Sequence, residues 1–294
     1  MKVNQTKILI YKSYKIQIIN KITIKSKPMK NSNLFKLSSK TMLLLFFVVF
    51  SFRSFGTAIQ QYYEIRVYHI ADKIQESRVD AYLKDAYLPA LHRAGIPVVG
   101  VFKPIETDTA FYGKLIYVFI PIKTVDEYSL LPGILGKDKV YTEAGKSFLD
   151  AVYDNPPYIR YESILLKAFM NMPQPAFPKH FTSPSERIYE LRSYESATEA
   201  KAAKKIEMFN QGGEITLFEK LKFNAVFYGE VLTGSSKPNL MYMITFSDMK
   251  SHDEHWKAFV EHPDWIKLKG LEEYLNTVSK NNTFLLHPTS YSDF

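Results

Sequence analysis

The sequence contains two similar segments in which a glutamate is followed two residues later by an arginine. Glu64 and Arg66 lie in Tyr-Glu-Ile-Arg-Val-Tyr, and Glu190 and Arg192 lie in Tyr-Glu-Leu-Arg-Ser-Tyr, which ends at Tyr194. The alternation predicts β-strands whose acidic, basic and tyrosine side chains share one face. If the apolar face meets the helices, these groups point into the space between two sheets. Such an arginine can bind a carboxylate through two hydrogen bonds, and an ion pair that fixes strand register is the alternative interpretation.

A Gly-Gly-Glu sequence interrupts a helical pattern in the second half of the chain. Gly213 allows a positive φ angle, and the helix that follows from Glu214 could present its N-terminus to an anion. The alternative is an ordinary helix end followed by a new helix with Glu214 in its first turn. We keep both residues as ligand-binding candidates.

Three histidines lie close together in the last third of the chain. His252 and His255 are three residues apart on a predicted helix, and His262 follows. The spacing can bind a metal, but the His-Glu-x-x-His pattern of a hydrolytic zinc site is absent. We expect surface or helix-capping histidines and no metal, and we keep His255, with Glu190 and Arg192, as a candidate catalytic residue.

Aromatic residues recur near the same segments, as in an apolar ligand pocket with a few polar groups. Ordinary core packing is the alternative for any one of them. No P-loop, dinucleotide-binding fingerprint or Ser/His/Asp order is found in the sequence, and we predict no cofactor. The aromatic candidates for ligand binding are Phe227, Tyr228, Tyr242 and Trp256, with Phe259 and Trp265 nearby.

The two Glu-x-Arg segments belong to an internal duplication with a period of about 126 residues. This period is too long for a solenoid repeat and indicates a duplicated small domain. The matching segments occur in the same order in both halves: Tyr63–Tyr68 and Tyr189–Tyr194, Val101-Phe102 and Val226-Phe227, Leu115–Val118 and Leu240–Met243, Asp126-Glu127 and Asp253-Glu254.

Each half is predicted to have the order β-α-β-β-α-β, which is that of a ferredoxin-like α+β fold. A first repeat spans 59–170, a proline-rich linker spans 171–187, and a second repeat spans 188–294. Helices cover one face of such a sheet and leave the other bare. The two sheets are therefore expected to pack face to face or to close into a barrel.

Residues 1–58 have the composition of a leader. Three lysines precede an apolar stretch, Met42–Phe52, and a small-x-small cleavage signal ends at Ala58. This is the layout of a secretory signal peptide, and Met29 is the predicted start of the protein. The apolar stretch is short of the roughly 20 residues of a spanning helix, so we expect a secreted or periplasmic chain without a membrane span after cleavage. An uncleaved signal anchor is the alternative.

The basic character of the chain comes from that leader. Of the 38 Lys and Arg residues, 11 lie in 1–58, so 27 remain against 30 Asp and Glu. This balance gives no reason to expect nucleic acid as a partner. The chain has no cysteine, which excludes disulfides, thiolate metal sites and a cysteine nucleophile.

The second half resembles the NIPSNAP family over nearly all of residues 188–294. The resemblance implies a dimeric α+β barrel (ferredoxin-like) fold, built here from tandem repeats, and it implies no settled activity. The first half resembles a diverged copy, which keeps Tyr-Glu-Ile-Arg but lacks Gly-Gly-Glu and the tryptophan pair. The motifs that carry the resemblance are Ile188–Tyr194, Lys205–Asn210, Gly212–Ile215, Ala225–Gly229, Pro238–Met243, His255-Trp256 and His262–Trp265.

Three functions are compatible with these observations. The first is binding of a small, anionic or aromatic molecule in the barrel cavity. The second is a cofactor-free enzyme of the monooxygenase or isomerase type, with Glu190 or His255 as base and Arg192 stabilising negative charge. The third is an oligomerising interaction domain, so a homo-oligomer is possible.

Overall fold

The structure is a computed structural model that describes residues 59–178, 180 and 182–294. The predicted leader, including Met29 and the cleavage signal at Ala58, lies outside the described residues. Within the described part of the chain, no helix has the length and apolarity to cross a membrane.

Eight antiparallel strands form one closed barrel. Their order around the barrel is β1-β3-β2-β8-β5-β7-β6-β4. The strands are β1 (Tyr62–His69), β2 (Gly100–Pro104), β3 (Leu115–Ile122), β4 (Arg160–Ala168), β5 (Ile188–Glu195), β6 (Asn224–Thr233), β7 (Asn239–Phe246) and β8 (Lys280–Pro288).

The barrel consists of two ferredoxin-like sheets joined at their edges. The first repeat contributes the order β4-β1-β3-β2 and the second contributes β8-β5-β7-β6. The edge strands then pair across the repeats, β2 with β8 and β4 with β6. This arrangement confirms the predicted α+β class and tandem ferredoxin-like repeats, and it leaves no open sheet edge among the strands described.

The helices lie on the outer face of the barrel. Several helices have an N-cap residue whose side chain accepts hydrogen bonds from backbone N–H groups of the first turn. Asp72 and Thr198 do so at equivalent positions in the two repeats. The helices are α1 (Lys73–Tyr82), which continues through a π-helical turn (Leu83–Tyr87) into α2 (Leu88–Arg93), α3 (Val125–Leu135), α4 (Lys139–Ala144), α5 (Lys146–Leu149), α6 (Glu199–Asn210), α7 (Glu214–Lys220), α8 (Met249–Glu261) and α9 (Pro263–Lys269), followed by a 3₁₀ turn (Glu272–Tyr274).

The lumen of the barrel is packed mainly with apolar and aromatic side chains from both repeats. Tyr63 and Tyr189, at equivalent positions of β1 and β5, point inward, and the rings of Phe119 and Phe227 stack with centroids 4.9 Å apart. Leu191 also lies in this core. Most of the lumen is therefore filled by side chains.

The predicted direction of the Glu-x-Arg-x-Tyr face is wrong. Since Tyr189 and Leu191 point into the lumen, the alternating Glu190, Arg192 and Tyr194 lie on the outer face of the sheet, beneath the helices. The physical reason is that the helices supply polar partners, such as the Trp256 indole that donates to Glu190, whereas the core of the lumen is mainly apolar and aromatic. Charged groups are better accommodated beneath the helices.

Candidate functional site

The charged residues of β5 lie beneath three helices of the second repeat. Trp256 reaches them from α8 and Lys205 from α6, while Glu214 begins α7. The predicted break at Gly213 is present, with a φ of +91°. This value is in the left-handed region that glycine adopts without strain, and it places Glu214 in the first turn of α7.

Glu190 is the centre of the network, with its side chain fully buried. Its Oε1 accepts a hydrogen bond of 2.6 Å from Nε of Arg192, and its Oε2 accepts one of 2.5 Å from Nε1 of Trp256. Nε2 of His252 lies 3.3 Å from the same Oε2. Burial alone would raise the pKa of Glu190, but His252, Arg192 and Trp256 outweigh it and hold the pKa below its usual value.

Arg192 is held in one orientation by its neighbours. Its guanidinium lies 3.8 Å from the centre of the Trp256 ring, and its Nη1 donates to the hydroxyl of Tyr194 at 3.1 Å. That hydroxyl is 2.8 Å from the hydroxyl of Tyr242. The hydrogen bonds of Arg192 to other described residues use Nε and Nη1, which leaves Nη2 as a donor available to a bound group.

Lys205 and Glu214 form a buried ion pair beside Arg192. Nζ of Lys205 is 2.7 Å from Oε2 of Glu214, and both side chains are at most 5% exposed. Nζ also lies 4.7 Å from the centre of the Phe209 ring. Burial raises the pKa of Glu214, although the positive charges of Lys205 and Arg192 oppose this rise.

These groups line a cleft of about 430 Å³ between the sheet and the helices. Its wall combines two cations, one carboxylate and two tryptophans with apolar side chains, which is the mixture expected of a small-molecule site. The lining residues are Arg192, Tyr194, Lys205, Glu214, Trp256, Phe259, Val260, Trp265, Val278 and Asn281.

Several predicted site residues lie elsewhere. Phe227 belongs to the core of the lumen, on the opposite side of the sheet. Tyr228 is buried in the core behind the cleft, and Tyr242 reaches the network only through its hydroxyl. His255 packs against Phe223, and its ring Nδ1 lies 2.7 Å from the carbonyl oxygen of Ser251, so it does not line the cleft.

The sequence did not identify Lys205 or His252 as site residues. A lysine in an amphipathic helix usually faces solvent, and His252 was considered only as a metal ligand. The duplication contains a signal for Lys205: its counterpart 126 residues earlier is Val79, which is fully buried. Among the described residues, no three His, Asp or Glu side chains are grouped as metal ligands.

The first repeat keeps only part of this arrangement. Arg66 donates to Glu64 at 2.7 Å, and Ser163 donates to the same carboxylate oxygen. The positions of Lys205 and Glu214 are taken by two buried apolar residues, Val79 and Leu88. A complete cluster of charged groups and tryptophans is therefore confined to the second repeat within the described chain.

Comparisons with known proteins identify both a family and a fold. Residues 189–293 match the NIPSNAP family, and no curated protein matches the chain. A candidate monooxygenase from Lactobacillus acidophilus has a similar structure, with a TM-score of 0.50, 12% identity, and coverage of 78% of this chain and 94% of its own. At this identity the similarity concerns the fold alone.

Two further solved structures are similar to this chain, one to about a third of it and the other to most of it. A NIPSNAP-like domain protein from Burkholderia xenovorans covers 36% of this chain and 89% of its own, with 16% identity and a TM-score of 0.34. An anthrone oxidase-like protein covers 79% of this chain and 93% of its own, with 7% identity and a TM-score of 0.46.

Proposed function

Because residues 189–293 belong to the NIPSNAP family, which fixes no reaction, we propose a function from the geometry of the cleft. The second repeat binds a small molecule that has an aromatic or apolar body and a negatively charged group. The observation that carries this proposal is Arg192, whose guanidinium is fixed by Glu190 and Trp256 while Nη2 stays available. This differs from the expected site in the barrel lumen, because most of the lumen is filled by side chains.

The charges of the cleft favour an anion. Among the lining residues, Arg192 and Lys205 are positive and Glu214 is the one carboxylate, whose ionised form burial disfavours. Glu190, which pairs with Arg192, does not itself line the cleft. Arginine binds carboxylate and phosphate groups in defined geometry. A carboxylate on Arg192 would therefore gain a charge-assisted hydrogen bond in a partly desolvated site.

The apolar wall selects the remainder of the ligand. The ring of Trp265 packs against that of Phe259 with centroids 4.5 Å apart and planes tilted by 37°, and both residues line the cleft. Together with Trp256 they form a continuous aromatic surface on which a flat apolar group can pack. Benzoate, which joins an aromatic ring directly to a carboxylate, is a suitable probe.

A calorimetric titration with benzoate and benzamide tests this proposal. We expect benzoate to bind at least about tenfold more tightly than its neutral amide, since a charged hydrogen bond contributes about 1.5–3 kcal/mol. Arg192→Gln should abolish the difference, and Arg160→Gln, at an exposed arginine of β4, should preserve it. Equal affinities for the two probes, or an unchanged difference in Arg192→Gln, would overturn the proposal.

A proton-transferring enzyme is the second candidate, because Glu214 combines a raised pKa with a place beside the cleft. Its ionised carboxylate would take a proton from a carbon next to a carbonyl group, and Arg192 would stabilise the negative charge that remains on the substrate oxygen. Phenylpyruvate in deuterated water is the probe. Faster exchange of its methylene protons, lost in Glu214→Gln, would support catalysis, and an unaltered exchange rate would argue for binding alone.

We also propose that the protein is exported, on the basis of the signal-peptide pattern in 1–58. The test is the N-terminal sequence of the mature protein recovered from cells. We expect it to begin just after Ala58, and a mature protein that retains residues 30–58 would refute cleavage.

A further inference from the structure

A second cavity occupies one end of the barrel lumen, on the opposite side of the sheet from the cleft. It has a volume of about 200 Å³ and receives side chains from both repeats. We call it the lumen recess. The lining residues that define its chemistry are Tyr117, Glu162, Ser193, Glu195, Asn239 and Phe284.

The two repeats contribute different chemistry to the inner part of the recess. The strand registers place Ser193 and Asn239 of the second repeat at the positions that Val67 and Leu115 occupy in the first. Ser193 and Asn239 are at most 6% exposed, and Nδ2 of Asn239 lies 3.0 Å from Oγ of Ser193. Within the described residues, these two side chains hydrogen-bond only with each other, and an amide and a hydroxyl keep further hydrogen-bonding capacity in such a pair.

Two carboxylates lie at the rim of the recess. Glu162 accepts from Ser235 and lies 2.7 Å from Nε2 of His69. Glu195 accepts from Nδ2 of Asn282 at 2.8 Å. The cation nearest to Glu195 is Lys280, at 3.4 Å and 63% exposed, and such surface pairs hold their partners weakly. The rim is therefore electronegative.

Aromatic rings line the same recess. The ring centroid of Phe284 lies 5.5 Å from that of Phe111 and 5.7 Å from that of Tyr117. Aromatic faces next to carboxylates form a favourable environment for an organic ammonium group, and rings that line a cavity can also pack against an aromatic ligand.

From this combination we propose that the lumen recess binds a small aromatic amine. Its ammonium group lies between the rim carboxylates Glu162 and Glu195, and its ring packs among Tyr117, Phe284 and the apolar residues below. A hydroxyl on the ring would reach Ser193 and Asn239. The recess thus selects the opposite charge from the cleft, and this inference does not depend on the proposed function.

The test is a calorimetric titration of the full chain with 2-phenylethylamine and with 2-phenylethanol, its neutral counterpart. We expect the amine to bind about tenfold more tightly or better, as for one charge-assisted hydrogen bond. Excess benzoate should not compete with it. Equal affinity of amine and alcohol, or competition by benzoate, would overturn the proposal.

Conservative substitutions of the rim glutamates test where the ammonium group of the ligand binds. Glu195→Gln should remove the preference for the amine over the alcohol, and Glu230→Gln, at an exposed glutamate of β6, should retain it. Glu162→Gln, at a side chain that is 40% exposed, is a second variant with the same expectation. Ser193→Val should reduce binding of tyramine more than binding of 2-phenylethylamine. A preference that survives both glutamine variants at the rim would refute the site.

Discussion

At the scale of single residues, Trp256 has two roles in the network beneath the helices. Its indole N–H donates to the buried carboxylate of Glu190, and its ring lies under the guanidinium of Arg192. Trp256→Phe keeps an aromatic ring but removes the donor. Because hydrogen bonds to charged groups contribute about 1.5–3 kcal/mol, we expect the free energy of unfolding in urea to fall by about 2 kcal/mol. Trp265→Phe is the packing control, and an equal loss in both variants would contradict this role.

His252 gives the network a predictable dependence on pH. Its partial burial lowers its pKa, but the carboxylates of Glu190 and Asp253 outweigh that effect, so the pKa is raised. A raised pKa in the folded state stabilises the protein fully below the unfolded-state pKa of about 6.5, and this stability is lost as the pH rises through the folded-state pKa. The lowered pKa of Glu190 has the opposite effect on the pH dependence of stability. Its contribution is lost as the pH falls through the pKa of the folded state, which is a lower range than that of His252.

We therefore expect His252→Gln to reduce stability more near pH 5.5 than near pH 8.5, on either side of the usual histidine pKa of about 6.5. The measurement is urea unfolding of the wild type and the variant at both pH values. A difference in stability that stays constant between them would show that the charge of His252 contributes nothing.

At the scale of secondary-structure elements, the alternation of β1 and β5 was predictable, but its direction was not. The period of two residues shows which side chains share a face, so Glu190 and Arg192 were correctly placed together. Both faces of these strands are covered, one by the lumen and one by helices. The choice between them depends on barrel closure, which pairs Phe102 with Pro288 and Leu165 with Thr233. These partners are far apart in sequence, so barrel closure leaves no local signal.

The helix break before α7 was predictable for a different reason. Gly213 has a positive φ, which glycine adopts more readily than other residues, so the local sequence carries the information. The pairing of Glu214 with Lys205 was not predictable from either residue, because it requires the packing of α6 against α7. The two repeats differ at this pair, because Val79 and Leu88 stand at the equivalent positions of the first repeat. The buried ion pair is therefore a feature of the second repeat.

That difference suggests a pair of variants that separates function from stability. Lys205→Val alone leaves the carboxylate of Glu214 buried without its partner, and we expect a loss of about 3–5 kcal/mol in the free energy of unfolding. The double variant Lys205→Val/Glu214→Leu introduces the residue types of the first repeat. It should be close to the wild type in stability, because well-packed apolar residues often replace a buried ion pair without loss.

Benzoate binding should weaken in this double variant while its stability is kept. Urea unfolding and calorimetric titration of the same protein samples provide both measurements. A double variant as unstable as the single one would show that the pair stabilises the fold, and undiminished benzoate affinity would remove Lys205 from the site.

At the scale of the whole molecule, the eight strands of one chain close the barrel. The duplication predicted this pairing of two repeats, and the edge contacts β2–β8 and β4–β6 complete it. Because each sheet is covered by the other repeat of the same chain, we expect folding to need no second copy. We expect the thermal unfolding midpoint to stay constant over a hundredfold range of protein concentration, and a midpoint that falls on dilution would indicate that association is required for stability.

The proposed function places the ligand between the sheet and the helices of the second repeat, on Arg192. The most direct test is a crystal structure of the protein soaked with 4-bromobenzoate, in which anomalous scattering locates the bromine atom. The proposed function predicts the carboxylate on Arg192 and the bromine atom near Trp256 and Trp265. Bromine in the lumen recess, or an Arg192 that contacts no ligand while bromine is bound elsewhere, would contradict it.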